Sequence, residues 1–394
     1  MTDLRDHPVT KTPVAIFYVL IFIAFVDTFT LLPVLGPYAE SLGASALGVS
    51  VGLVIGAYSV TDILFNMIGG RAVDRSGRRN LALLGFGIVA GAIMLYPLAN
   101  SVTTLIGVRL FHGVGGGILL PALYTLIGDV SRQGTRGRRM GRVGAVIGTA
   151  AVIGPLIGGV ARSRFGFDAV FWGLAAMMIL GFLLTFFLVR ETADTTLTEK
   201  ARSVSFKTLW GIRDLRIACI TVFGFTFGFG SLSAYFSNHL EALGHQERLS
   251  SMLFSLLALV AVVLMLTKVS ARVDSDGPRR SILIGMPLMA LGLVLIGTMT
   301  TVGALAAGMV LFGIGFGLIY PAATGAVVIA AAAEGRGRAF GVFSVFYSLG
   351  FVIGPPLAGF FSDRFGLSPF IFAAGASLVA LAVVEFGVSR KDAQ

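Results

Sequence analysis

The chain has 394 residues, 56% of them hydrophobic and only 13% charged, with 30 Lys and Arg against 20 Asp and Glu. Soluble domains carry about a quarter charged residues, so this composition excludes a soluble globular protein and indicates an integral membrane protein. The net charge of +10 raises nucleic acid as a partner, but the basic residues stand in short segments beside apolar runs without aromatic interleaving, so no nucleic-acid partner is expected.

Apolar runs of the roughly 20 residues that a helix needs to cross about 30 Å of hydrocarbon follow one another along the chain. They fall near 13–35, 48–70, 80–99, 103–130, 139–162 and 168–189, then near 214–237, 249–272, 280–299, 302–332, 338–362 and 368–388. Twelve spans are therefore expected. The first run is too long for the core of a signal peptide and leads into Asp27 rather than a small-residue cleavage site, so it reads as a retained span. Residues 190–213, rich in Thr, Ser and mixed charges, read as a cytoplasmic linker. The expected organisation is an N-terminal six-helix bundle over 1–189, that linker, and a C-terminal six-helix bundle over 214–394. The lone cysteine, Cys219, excludes an internal disulfide and any multi-cysteine metal site.

The halves are related. Residues 136–166 laid over 336–366 are identical at 12 of 31 positions without a gap, and the same offset carries Asp74 onto Asp274, Gly113 onto Gly313 and Pro121 onto Pro321. Parallel repeats of this size build many secondary transporters, with the substrate site between the halves near the bilayer midplane. With both termini in the cytoplasm, 25 of the 30 Lys and Arg fall inside, four fall outside (Arg162, Arg164, Arg248 and Arg364), and Arg109 lies within a span. Cytoplasmic loops retain basic residues, so the bias predicts a multi-pass protein of the cell membrane with both termini inside. Anionic headgroups of that leaflet are the expected partners of the basic loops.

Three motifs resemble one family. Gly70 to Arg79 (GRAVDRSGRR) resembles the loop between spans two and three of the major facilitator superfamily, matching at Gly70, Asp74, Arg75, Gly77, Arg78 and Arg79, with Ala72 where Leu is usual. Arg109 to Gly113 resembles the family's Arg-x-x-x-Gly pattern in span four, with His112 where Gln is common. Gly154, Pro155, Gly158 and Gly159, with Gly141 upstream, resemble the signature of its drug:proton antiporter branch, although Ala150 stands where that signature has Gly. The resemblance covers essentially the whole chain. It implies an all-α major facilitator fold, twelve transmembrane helices in two pseudo-symmetric six-helix bundles, and a loop around Asp74 that steadies the outward-facing state. The alternative for that loop is plain topology, its arginines serving as positive-inside anchors.

The residues also carry physical readings of their own. Gly154 and Gly158 remove side chains from one helix face and let a neighbour approach, and Pro155 frees a carbonyl that can bend the span. Gly354, Pro355 and Gly359 repeat the pattern, which favours hinge-like contacts in both halves over incidental small-residue packing. An ionisable residue at mid-membrane costs about 2.5 to 3.5 kcal/mol on insertion scales, so the few present are candidates. Asp27 in span one and Arg109 in span four stand at similar depth. A carboxylate withdrawn from water keeps its proton more readily, and a cation or substrate releases it; Asp27 is thus the candidate proton carrier, with Arg109 tuning it or binding an anionic group. A static Asp27–Arg109 pair is the alternative. Asp62 in span two, with Asn66 one turn on, is a second acid, for proton coupling or for a hydrogen bond at the inner gate. His112 either titrates or is simply hydrogen-bonded.

In the second half Met309 takes the place of Arg109, and the aromatic and hydroxyl groups of spans seven, ten and eleven suit a bulky, amphipathic or aromatic substrate. His112, Phe225, Phe227, Tyr235, Tyr320 and Tyr347 are the candidate cavity residues. No GxxxxGK phosphate loop occurs, and Gly113 to Gly117 lies inside a span rather than after a strand. Neither a nucleophile–base arrangement nor a metal cluster is evident, so no enzyme, metal or bound cofactor is expected. The expected function is proton-coupled efflux of a lipophilic small molecule by a monomer whose partners are substrate, protons and lipid. A symporter or uniporter of sugar or organic anion, and a lipid or glycolipid flippase, are the alternatives.

Overall fold

The computed structural model describes residues 13–129, 136–191, 210–266, 278–330 and 336–388, with backbone alone over 69–76, 128–129, 136–141, 328–330, 336–338, 340 and 387–388. All the regular elements described are helical. Helices satisfy every backbone group internally, which is what hydrocarbon demands. In chain order they are α1 (Val14–Ser41), α2 (Val49–Ser76), α3 (Arg78–Leu95, extended by a short turn at Tyr96–Leu98), α4 (Val102–Asp129), then the long Arg136–Leu188. After these come α7 (Arg213–Ala242), α8 (Glu247–Leu266), α9 (Pro278–Thr298), α10 (Val302–Ala330), α11 (Arg336–Phe365) and α12 (Pro369–Ala382), the last running on into a π-helical Val383–Val388.

Eleven of the described helices are long and apolar enough to cross a membrane, and the longest of them is two spans in one. At Gly166 the backbone turns to φ 82° and ψ −177°, a region that only glycine enters without a steric cost. The chain bends there, separating α5 (136–165) from α6 (167–188). The repeat places Gly366 at the equivalent position, where φ of 64° ends α11. Twelve crossings result, matching the apolar runs.

Within the first half α2 packs on α4, α1 on α5 and α3 on α4; within the second, α8 packs on α10, α7 on α11 and α9 on α10. Each pair in one half is the other's partner under the 200-residue offset, so the sequence repeat is a structural one. Small residues set the spacing. A Cβ on Gly113 would lie 2.1 Å from the Tyr58 carbonyl of α2, and one on Gly313 would lie 2.7 Å from the Leu257 carbonyl of α8. The bundles meet where α2 crosses α11, where α5 crosses α8, and where α1 faces α7. Transmembrane association rests on such close backbone approach, because lipid tails are as apolar as the helices themselves.

Candidate functional site

Asp27 lies at the centre of α1, 14 residues or about 21 Å from the Ser41 end. The helix runs further than the apolar run that announces it, so Asp27 is deeper than the sequence suggests. It is 3% exposed, and its partner is His112 of α4, 2% exposed, at 3.1 Å from His112 Nε2 to Asp27 Oδ2. Asp27 Oδ1 is buried without a partner.

Arg109 points elsewhere. Its Nε donates to the Val54 carbonyl at 3.1 Å and Nη2 to the Ile55 carbonyl at 3.3 Å, both on α2. Its Nη1 donates to Tyr96 Oη at 3.3 Å, and its guanidinium lies 4.8 Å from the centre of the Tyr58 ring. The static Asp27–Arg109 pair weighed from sequence is therefore replaced by Asp27–His112. The reason is the α2–α4 approach described above, which carries two carbonyls to the five-donor guanidinium, whereas His112, one turn further along α4, reaches α1.

Tyr96 closes the chain, its hydroxyl 3.0 Å from His112 Nδ1. Two hydrogen-bond assignments satisfy the row. With Asp27 ionised, the Tyr96 hydroxyl donates to Nδ1 and Nε2–H donates to the carboxylate. With Asp27 protonated, its O–H donates to Nε2, Nδ1–H donates to Tyr96 Oη, and the imidazole has changed tautomer. One added proton is thereby accommodated without a new buried charge, which would be costly here. Arg109, permanently cationic, holds Tyr96 in both assignments.

Asp62 sits 13 residues, about 20 Å, along α2. Asn66 hydrogen-bonds its carboxylate, while Oδ1 is buried and unpaired. It is within electrostatic range of Tyr347 on α11, and Tyr347 is likewise within range of Tyr320 on α10 and Tyr124 on α4. Tyr124 and Tyr320 are each 37% exposed. This cluster spans both bundles and is where the inner faces of α2, α4, α10 and α11 converge. Its aromatic lining continues from Tyr320 to Phe316 and from Tyr347 to Phe351.

The remaining aromatic candidates are placed otherwise. Phe225 is 1% exposed and packs on Phe316 and Phe229 inside the second bundle. Phe227 turns toward Phe372 of α12. Tyr235 is a fastening: its hydroxyl donates to the Pro355 carbonyl at 2.6 Å and reaches the Gly48 carbonyl of the other bundle at 3.1 Å.

Tyr235 belongs to a set of contacts that join the bundles at the end carrying the α1–α2 and α7–α8 connections. Asn238 Nδ2 donates to the Ala46 carbonyl at 3.1 Å, and the Val49 N–H at the start of α2 donates to Asp363 Oδ2 at 2.8 Å. Arg162, 9% exposed, forms a bidentate pair with Glu241 at 2.7 and 3.1 Å, and Arg248 Nε donates to Ser163 Oγ at 2.9 Å. The glycine-proline motifs serve both kinds of contact. A Cβ on Gly154 or Gly158 would meet α1 within its own bundle, at 2.8 Å from Phe29 Cβ and 2.4 Å from the Thr30 carbonyl. Gly159, one residue on, lies against Ser251 of α8 across the interface, and Gly359 lies 2.6 Å from the Gly48 carbonyl by the same measure. Pro155 is buried between these faces.

In the loop motif, the side chains of Gly70, Asp74 and Arg75 fall outside the described residues, as does the segment 267–277 that repeats them. Gly77, Arg78 and Arg79 are described. Gly77 adopts φ 85°, and the N–H groups of Arg78 and Arg79 donate to the Glu191 carboxylate at 2.9 and 3.1 Å. A carboxylate at a helix start meets otherwise unsatisfied N–H donors and the positive end of the dipole. A Cβ at Gly77 would stand 2.4 Å from Glu191 Oε2. Gly77→Ala is therefore expected to lower stability in detergent by about 1 to 3 kcal/mol, and Glu191→Gln by less. Thermal melting of the two variants beside the wild type checks the order.

Sequence reasoning missed Tyr96, Glu191 and the Arg162–Glu241 pair. Tyr96 lies inside an apolar run, and its only signal is a polar-tipped aromatic before Pro97. Arg162 reads from sequence as an outside topology residue, and the Glu241 that meets it is 79 residues away.

Comparison with known proteins bears on the whole chain. The model of the Major Facilitator Superfamily matches residues 17–276 and 219–394. Multidrug resistance protein 2 of Bacillus subtilis is 27% identical over 400 residues, covering 97% of this chain and 96% of its own. Quinolone resistance protein NorA of Staphylococcus aureus is 24% identical over 407 residues, covering 94% and 95%. Among solved structures, a bacterial homologue of the human lysosomal transporter Spinster superposes with a TM-score of 0.80 at 15% identity, over 96% of each chain. The nucleoside transporter NupG does so with a TM-score of 0.75 at 15% identity, over 96% and 99%.

Proposed function

The chain belongs to the Major Facilitator Superfamily of membrane transporters, and from that premise we propose that it is a proton-coupled exporter of lipophilic small molecules. The observation that carries the proposal is the buried Asp27–His112–Tyr96 row at the middle of α1, whose hydrogen bonds allow one added proton by a change of assignment. The drug-resistance relatives, which match over nearly their whole length, support a lipophilic substrate. The Asp62 cluster, shared by both bundles and lined by tyrosines, suits an amphipathic molecule with an aromatic or cationic part.

In the orientation that the charge bias predicts, the α1–α2 and α7–α8 connections face outside, the fastened end is the outer one, and the state described is the one closed to the exterior. Substrate then enters from the inner side and reaches the Asp62 cluster between the bundles. Rocking breaks the outer contacts, exposes the cavity outward, and lets Asp27 exchange its proton with that side. Protonation on the outside and deprotonation on the inside drive the cycle, so one downhill proton moves opposite to the substrate.

The test is drug-induced proton movement in everted vesicles, with cationic dyes, quinolones, sugars and a labelled lipid as the panel. A lipophilic drug that dissipates an imposed proton gradient, with sugars inert, is the expected outcome. Gradient-driven sugar uptake, or lipid transfer between leaflets without drug response, defeats the proposal in favour of the corresponding alternative.

A further inference from the structure

At the fastened end one cation meets three acids. Arg162 of α5 donates through Nη1 and Nη2 to the two carboxylate oxygens of Glu241 on α7, and its Nη2 also lies 3.7 Å from Glu247 Oε1 at the start of α8. Both of those acids belong to the second bundle. The third, Glu40, stands in the last turn of α1 within the first bundle, in electrostatic range of Arg162 and of Glu241 alike. We infer that Arg162 is a two-position latch, which joins the bundles through Glu241 and Glu247 and passes to Glu40 when they part; this rests on the outward opening proposed above.

The burial of Arg162 calls for a second partner. Its side chain is only 8% exposed, against 29% for Glu241 and 45% for Glu247. When the bundles separate, the two acids, already the more hydrated, move into water. The guanidinium cannot lose its proton, and a largely buried charge stripped of its partner costs far more than an exposed pair contributes. An acid that travels with α5 removes that cost. Glu40 is such an acid, because it belongs to the same bundle.

The receiving side is also built. The Arg162 guanidinium lies 4.8 Å from the centre of the Phe167 ring of α6, a cation–π contact inside its own bundle. Phe167 in turn packs on Tyr38 of α1, with ring centres 5.1 Å apart, and the Tyr38 hydroxyl donates to the Tyr96 carbonyl. Glu40 follows Tyr38 by two residues. The outer ends of α1, α5 and α6 are thus tied into one body, which keeps Glu40 beside Arg162 while Glu241 and Glu247 withdraw. Asp168, another acid of this bundle, stands in range of Tyr38 and supplies the control.

The experiment uses the full chain in nanodiscs on a Cys219→Ser background, with nitroxides on Asn100→Cys and Thr300→Cys, the equivalent α3–α4 and α9–α10 connections, and reads their separation by pulsed dipolar spectroscopy. Opening of the fastened end registers as a second, longer distance and needs neither drug nor proton gradient. Glu241→Gln is expected to raise the open-to-closed ratio about fivefold, the upper size for a partly exposed ion pair. Adding Glu40→Gln is expected to return most of that gain, since the open state then lacks the acid that receives Arg162. Misfolding cannot imitate such a reversal. Asp168→Asn, added in place of Glu40→Gln, should leave the ratio where Glu241→Gln set it. A ratio that Glu40→Gln leaves unmoved or raises, or that Asp168→Asn lowers as much, overturns the latch alone. A single short distance in every folded variant overturns the opening itself, and with it the transport cycle on which the latch depends.

Discussion

Asp27→Asn is expected to lower drug-driven proton exchange in proteoliposomes about a hundredfold, the low end of what a positioned proton-transfer group contributes. Asn keeps the size of the side chain and can still donate to His112 Nε2, so the row freezes in the arrangement of the protonated acid. The fold should survive, because the substitution removes a buried group with one unpaired oxygen rather than a packing element. Drug counterflow at equal pH on both sides needs no net proton transfer and is expected to continue. Asp62→Asn should give the opposite pattern, with weaker drug binding and proton exchange that recovers at saturating drug. If Asp27→Asn leaves the coupling intact while Asp62→Asn abolishes it, the proton site lies in the second cluster.

His112→Gln sharpens the same argument. Gln can accept from one neighbour and donate to another but cannot relay a proton between Asp27 and Tyr96 by changing tautomer. A variant that binds drug normally yet exchanges protons slowly is the signature of a relay. A variant that fails to fold would show instead that the imidazole is mainly packing against Tyr58 and Tyr96, whose rings lie 5.1 and 5.9 Å away.

Much of this architecture is legible in the sequence because membrane physics compresses the problem. Hydrocarbon allows a spanning segment little besides a helix, so the length of an apolar run nearly determines its structure. The repeat is equally plain, since Gly166 and Gly366 stand 200 residues apart and do the same work of ending a span. What the sequence withholds is rotation. The apolar runs put Asp27 and Arg109 near one depth, yet which face of α4 meets α1 is decided by the approach at Gly113, and that turns Arg109 toward α2 while His112 reaches Asp27. Tyr235 shows the same limit: its place in span seven suggests a cavity wall, whereas the crossing of α2 and α11 makes it a fastener. Rotation depends on packing summed over several helices, and no local pattern records it.

Gly158 of α5 and Gly359 of the repeated motif on α11 should separate packing from gating. Gly158→Leu must push α5 off α1 inside one bundle, where the Thr30 carbonyl would lie 2.4 Å from the new Cβ. Backbone cannot step aside as a side chain can, so this variant is expected to lose folded protein, at an overpacking cost of about 1 to 3 kcal/mol or more. Gly359→Leu instead drives a side chain into Gly48 and Tyr235 at the joint between bundles, a contact made only while the outer end is closed in the proposed cycle. The penalty there falls on one conformation and spares the other, so the equilibrium should move toward the outward-open state about tenfold or more. A Cys219→Ser, Tyr347→Cys background gives the readout: an impermeant thiol reagent added outside should label position 347 faster in Gly359→Leu. Gly158→Leu should show no such gain in whatever protein folds. If Gly359→Leu merely destabilises, with labelling unchanged, the contacts around Tyr235, Asp363 and Arg162 are static scaffolding and the moving joint lies elsewhere.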